Sequence, residues 1–252
     1  MLYLISIGLH DEQDLSLRAL AAAKKCAKLY ADFYTTKTFA SQASLEKIIG
    51  KPVIVAGRGN LEEGAKRLLA EAKNKDIGIL VGGDALSATT HLMLLQEARK
   101  LGIEGRVIHG SGIYTAVAAT GLPLYKFGPS VTIPFPQPGY KPTGFYDTML
   151  ENRKRGLHTL LLLDVRADEG RYLSPKQALQ LLLDIEKQKG YKLLQPETEM
   201  VAACDLGGDE LMAFGSIKGL LASKKIDRTP GVLILPGELH FTEKEFLENF
   251  KP

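Results

Sequence analysis

The sequence predicts an α/β fold in two domains, and three features carry that prediction. In the first half, short apolar runs alternate with amphipathic segments about four times, the rhythm of a largely parallel sheet covered by helices. Residues 131–143 then hold four of the twelve prolines. In the second half two strand-like runs follow one another with no helix between them, which suggests a mixed sheet. The expected partition is an N-terminal domain over residues 1–110 and a C-terminal domain over residues 111–252.

Residues 1–9 form an apolar run ending near Gly8 and read as a buried first strand. Asp11, Glu12 and Asp14 stand where the next helix begins and complement its dipole. Leu15, Leu17, Leu20, Ala23 and Ala27 supply its apolar side. Residues 28–33 and Val53–Ala56 are strands, separated by a short helix over 44–50 that Gly50 closes. Leu61, Ala65, Leu68, Leu69 and Ala72 share one face of a helix over 61–73. A strand over 77–81 ends in Gly82-Gly83-Asp84, followed by a helix over 88–100, a strand over 106–109 and a helix over 112–120. The stretch 131–143 reads as a loop, because proline neither donates to a strand ladder nor continues a helix. Then come a helix (145–155), a strand (159–165), a helix (175–187) and strands over 199–205 and 211–216. A short helix, a strand over 231–235 and a helix over 243–249 complete the chain.

The chain has 252 residues, 45% of them hydrophobic and 24% charged, the balance of an ordinary globular enzyme. Basic residues exceed acidic ones by only 3, with no concentrated basic run, so nucleic acid is not an expected partner. Cys26 and Cys204 are far apart and the five histidines are scattered, so neither a disulfide framework nor a metal-ligand set is expected. The first residues lack a secretion-signal pattern, and no apolar run approaches the roughly 18 residues of a membrane span. A cytoplasmic, metal-free protein is expected.

Two turns are candidate ligand contacts. Asp84 follows two glycines just past the carboxyl end of a predicted parallel strand, where open α/β sheets place ligands; it equally reads as a helix cap. Ser111-Gly112-Ile113 repeats that geometry after the next strand, and Ser111 equally reads as an N-cap. On successive strands of one sheet, the two turns would line one crevice. His91, just after the first turn, either orients a substrate or simply packs, and His158 reads as a local bond at a strand entrance. Tyr34 and Tyr114 are ambiguous in the same way. No dinucleotide fingerprint, P-loop or nucleophile elbow is present.

Several segments stand in a fixed order: Ile7-Gly8-Leu9 with Asp14, Ala31-Asp32-Phe33-Tyr34-Thr35, Gly83-Asp84 with Ala88-Thr89-Thr90-His91, and Val107-Ile108-His109 with Ile113-Tyr114. Leu124-Tyr125-Lys126-Phe127-Gly128, Gly156-Leu157-His158-Thr159-Leu160 and Leu235-Pro236-Gly237 continue the set. In that order and spacing, nearly the whole chain resembles the diphthine synthase family of tetrapyrrole-methylase-like methyltransferases. The resemblance implies two α/β domains with a cofactor cleft between them. Carried over by position, Leu9, Asp84, Ser87, Gly112, Ile113, Leu163, Asp205 and Gly231 would contact S-adenosyl-L-methionine. It implies methyl transfer to the amino group of a 3-amino-3-carboxypropyl histidine on elongation factor 2, yielding diphthine and S-adenosyl-L-homocysteine, by a homodimer. No residue is nominated as a strong acid or base; His91 and Tyr34 are expected near the acceptor, and the 131–143 loop with the basic 153–155 patch is expected to dock it. The chain departs from the family pattern at Ser6, where glycine is usual, at Ala85, where proline is usual, and at Gly112, where serine is usual. Two rival readings are a tetrapyrrole methylase acting on a corrin precursor and a non-catalytic adenosyl-ligand sensor.

Overall fold

A computed structural model describes residues 1–59, 61, 64–137, 139 and 142–251. They form two compact units, Met1–Ala116 with Val165–Arg171, and Val117–Asp164 with the chain from Tyr172 onward. The main division falls at Ala116/Val117, and residues 165–171 return to the first unit.

The first unit is a wholly parallel sheet of β1 (Leu2–Gly8), β2 (Lys28–Asp32), β3 (Val53–Ala56), β4 (Ile77–Gly82) and β5 (Gly105–Ile108), in the order β3-β2-β4-β1-β5. Helices α1 (Leu17–Lys25), α2 (Gln42–Ile49), α3 (Ala65–Ala72) and α4 (Leu92–Lys100) make the connections, and α5 (Ile113–Ala116) follows β5. Strand side chains alternate between faces, and β1 is buried along its whole length, so it is apolar at nearly every step, Ser6 apart. Leu2 and Leu4 join one core with Leu68, Ile77 and Ile79, while Tyr3, Ile5 and Ile7 join the other with Ala19, Leu45 and Leu80.

Helix ends follow local chemistry. Ser41 caps α2 in a capping box with Ser44, starting it before residue 44, and Gly50 closes it at φ 78°. Helix α4 begins at Leu92 rather than residue 88, because Ala88 adopts a left-handed φ of 55° that interrupts a helix. Part of the helix predicted over 61–73 falls on Glu62 and Glu63, which lie outside the described residues; α3 itself starts at Ala65.

The second unit holds β6 (Val131–Ile133) and β7 (Thr159–Leu163), and, after the short ribbon of β8 (Val165–Arg166) and β9 (Arg171–Tyr172), of which 165–171 belong to the first unit, β10 (Glu199–Cys204), β11 (Leu211–Ser216) and β12 (Gly231–Leu235). The main sheet runs β11-β10-β12-β7-β6 and is antiparallel except where β6 joins β7. Helices α6 (Gly144–Lys154), α7 (Pro175–Lys189) and α8 (Ile217–Ala222) contribute to its core, which gathers Tyr146, Met149, Leu179, Leu182 and Leu220 over Leu161, Met200 and Leu233. The final helix is α9 (Phe241–Glu248).

The start of the proline-rich stretch is a strand, not a loop, because Val131–Ile133 pairs on one side only, with β7, and its first proline comes just after. Pro138, Tyr140 and Lys141 of that stretch lie outside the described residues. The basic patch is also engaged within the fold: Arg153 donates to the Pro236 and Gly237 carbonyls, and Lys154 pairs with Glu151 at 2.7 Å. No helix among the described residues is long and apolar enough to cross a membrane.

Candidate active site

The carboxyl ends of β1, β4 and β5 lie side by side, since β1 sits between the other two strands. The chain order reverses at β1, the place where parallel α/β sheets open a crevice. Register slips between Ser6 and Gly8, and the Gly8 and Gly83 backbones exchange hydrogen bonds of 3.3 and 2.6 Å beyond the regular ladder. Gly8 has φ 113°, and a Cβ there would stand 2.2 Å from Asp14 Cβ, so only glycine fits.

Asp84 ties the two predicted turns together. Its Oδ1 accepts the Leu86 amide at 3.0 Å and the Ser87 hydroxyl at 3.4 Å; its Oδ2 accepts the Gly110 amide at 3.3 Å and faces His109 Nδ1 at 2.8 Å. Burial works against its charge, but the Leu86 amide, His109 and the Gly110 amide outweigh it and hold the carboxyl below the usual range. A Cβ on Gly112 would come 3.0 Å from Asp84 Cβ, so the missing side chain lets the turns close. Asp84, Ser87 and Gly112 are therefore brought together as the sequence predicted. Leu9 follows Gly8 at the end of β1, and Ile113 opens α5 directly after Gly112.

Two of the departures noted in the sequence meet here. The Ala85 amide donates to Ser6 Oγ at 2.9 Å, and both residues are buried. A proline at 85 has no N–H and a glycine at 6 has no acceptor, so each change supplies half of one bond. Ser6→Gly alone is expected to leave a buried amide unpaired and to cost about 1–3 kcal/mol. Ser6→Gly combined with Ala85→Pro should recover most of that loss in urea unfolding; a double variant no better than the single one would refute the pairing.

The other predicted contacts gather at one end of the sheet in the second unit. Leu163 ends β7, Gly231 begins β12 and Asp205 follows β10. Cys204 pairs with Gly231, Leu162 pairs with Val232, and the Asp205 amide donates to the Pro230 carbonyl at 3.0 Å. Asp205 has φ 51° and is 6% exposed; Arg228 takes its Oδ2, whereas Oδ1 is buried with no partner among the described residues.

His91, left open by the sequence, is buried at 3% exposure, with Nε2 2.9 Å from Asp32 Oδ2. Asp32 is wholly buried at the carboxyl end of β2 and accepts the Tyr34 and Thr35 amides at 2.9 and 3.1 Å. Sequence reasoning passed over Asp32 as a functional residue, although a carboxylate closing an apolar strand was a signal. His158 stands at the entrance of β7 and bonds locally: Nδ1 accepts the Gly237 amide at 2.9 Å and Nε2 faces Glu243 at 3.3 Å. Cys26 and Cys204 are free and buried, which pushes both thiols up to about 11 and makes them poor nucleophiles at neutral pH.

Comparison with known proteins places the chain. The family model described as Tetrapyrrole (Corrin/Porphyrin) Methylases matches residues 1–216. The chain is 40% identical over 250 residues to a diphthine synthase of Methanococcus maripaludis, covering 98% of both proteins. It is 40% identical over 252 residues to that of Methanocaldococcus jannaschii, again with 98% of each covered. Among solved structures, a candidate diphthine synthase from Entamoeba histolytica superposes with a TM-score of 0.92 at 32% identity, covering 100% of this chain and 98% of the other. A crystal structure of diphthine synthase gives 0.89 at 30% identity, over 100% and 96% of the two chains. On that length and identity, the chain belongs to the tetrapyrrole methylase family and, within it, to the diphthine synthases.

Proposed function

We propose that this chain transfers methyl groups from S-adenosylmethionine to the amino group of the 3-amino-3-carboxypropyl histidine precursor on elongation factor 2, forming diphthine. The observation that carries this reading is the match to diphthine synthases along essentially the full length of both proteins. The residues present fit an adenosyl ligand. Asp205 Oδ1 is a buried acceptor with no donor among the described residues, suited to a ribose hydroxyl or an amine, and the Asp84–Gly112 turns form a close-set polar rim. Leu9, Asp84, Ser87, Gly112, Ile113, Leu163, Asp205 and Gly231 are the proposed contacts.

S-adenosylmethionine supplies a methyl group on a sulfonium, an intrinsically good leaving group. The chain's own tasks are then to orient and to exclude water. Positioning of this kind contributes up to about 7–11 kcal/mol without a covalent intermediate. Asp84 spends both oxygens on holding the two turns, so it shapes the rim and does not act as a base. The acceptor amine must shed a proton before it attacks. The reading carries with it a cytoplasmic location and a homodimer, the latter measurable by light scattering.

Mass spectrometry of precursor-bearing elongation factor 2, incubated with the protein and S-adenosylmethionine, is expected to show added masses of one methyl each on the modified histidine. Transfer to a free tetrapyrrole with none to elongation factor 2 would overturn the acceptor. Binding of S-adenosylmethionine with no S-adenosylhomocysteine released would leave a sensor instead of an enzyme.

A further inference from the structure

We propose that Asp32, His91 and Thr89 form a proton relay that takes up the proton the acceptor ammonium must lose, with the Thr89 hydroxyl as its outlet. The proposal rests on the methyl-transfer reading and assigns that reaction's missing base. Three observations lead to it. First, the groups sit at the same edge of the sheet as the Asp84 clamp: Asp32 is the register partner of Val81, three residues before Asp84. Second, His91 is 3% exposed, so a proton can reach it only through a neighbour, and both ring nitrogens face one. Nε2 lies 2.9 Å from Asp32 Oδ2 as a close charge contact not aligned as a hydrogen bond, and Nδ1 meets Thr89 Oγ. Third, Ala88 holds a left-handed φ of 55° just before Thr89, a strained turn of the kind that accumulates at working sites.

The tautomer follows from the partners. The Asp32 carboxylate only accepts, so the nitrogen facing it carries the hydrogen and Nδ1 is the bare one. The Thr89 oxygen accepts the His91 amide at 3.4 Å, which leaves its own hydrogen free to point at Nδ1. Asp32 is anchored in turn by the Tyr34 and Thr35 amides and the Thr35 hydroxyl, so it is a positioning residue and not the acceptor of the proton. Burial opposes its charge, yet His91 and Thr35 outweigh that and hold it ionised. Among the described residues, Tyr34, the Arg58 guanidinium 5.7 Å over the Tyr34 ring, and Asp168 at 4.0 Å from Arg58 are further charged or titratable groups on this side.

The step balances. An ammonium N–H proton passes to Thr89 Oγ as the Thr89 proton passes to His91 Nδ1. The amine keeps the electron pair it will use on the methyl carbon, and the imidazolium is matched by Asp32. The proton later returns through Thr89 to water, one for each methyl transferred.

Thr89→Val and Thr89→Ser in the full-length protein separate this role from a structural one, because Thr89 is half-exposed and neither change disturbs the buried pair. Thr89→Val is expected to lower kcat about 100-fold. KM, S-adenosylmethionine affinity and Tm should stay within about twofold or a degree or two of wild type, and Thr89→Ser should restore the rate. The defect should shrink at alkaline pH, where the acceptor ammonium loses its proton unaided. Nitrogen-15 NMR of the resting protein should show His91 with hydrogen on Nε2 and a bare Nδ1. A Thr89→Val kcat within twofold of an active wild type, or a hydrogen found on Nδ1, would overturn the relay alone. A wild type that transfers no methyl to the precursor would overturn the functional reading, and the relay with it.

Discussion

Asp84→Ala is expected to weaken S-adenosylmethionine binding at least tenfold, which is about 1.4 kcal/mol. The carboxylate joins four groups from two turns, the Leu86 amide, the Ser87 hydroxyl, the Gly110 amide and the His109 ring. Without it, the turn after β5 is no longer bound to the turn after β4, and the rim they form together loosens. The apolar strands beneath are untouched, so the chain should remain folded. Asp84→Asn keeps the volume but replaces one acceptor oxygen with an N–H₂ donor, so an intermediate loss is expected. Calorimetric titration reads both variants, and unchanged affinity in Asp84→Ala would remove Asp84 from the site.

The largest expected stability loss lies in the second unit. Glu243 is 3% exposed and bridges Lys126 Nζ at 2.6 Å, the His240 amide at 2.5 Å and His158 Nε2 at 3.3 Å. Removing one member of such a buried set strands the others, so Glu243→Ala should cost about 3–5 kcal/mol in denaturant unfolding. A loss under 1 kcal/mol would mean that water replaces the carboxylate.

The same cluster sets a pH dependence. Burial lowers the pKa of His158 from its ordinary 6.5 despite Glu243, and a neutral ring is also what the Gly237 N–H bond to Nδ1 requires. As pH falls through about 6.5, the unfolded chain therefore takes up a proton that the native ring refuses. Burial opposes the charge of Glu243, but Lys126, the His240 amide and His158 hold its pKa below the ordinary 4.5. It adds a loss of the same sign at lower pH. Both contributions are complete above about 6.5 and vanish on acidification. Unfolding free energy should therefore fall from pH 7 to pH 5, and less steeply in His158→Gln. Equal slopes would clear His158 of the effect.

Much of the architecture was legible in the residues. Strands β1, β2, β4 and β7 lie within a residue or two of the predicted spans, because a strand buried on both faces must be apolar at nearly every position, and β3 falls on its span although Ile54 and Val55 are exposed. Helix α7 lies within two residues of its predicted span, and the structure shows Ser174 with Gln177 capping its start and Gly190 closing its end. The proline-rich stretch misled, since edge pairing permits a strand that composition argues against. Helix α4 was predicted too long, because the left-handed Ala88 is held by the turn around it and not by any helix-breaking residue type.

At the site, sequence alone singled out Asp84 and Gly112, and resemblance supplied Asp205 and Gly231, since turn residues at strand ends carry a local and positional signature. Only tertiary structure could show that Asp84 bonds the turn after β5, that Ser6 answers Ala85, and that Asp32 reaches His91 fifty-nine residues along. Periodicity and capping act over a few residues and leave their mark on neighbouring letters. Hydrogen bonds between distant strand ends depend on sheet order, and the order β3-β2-β4-β1-β5 is set by how whole strands pack, not by any one of them.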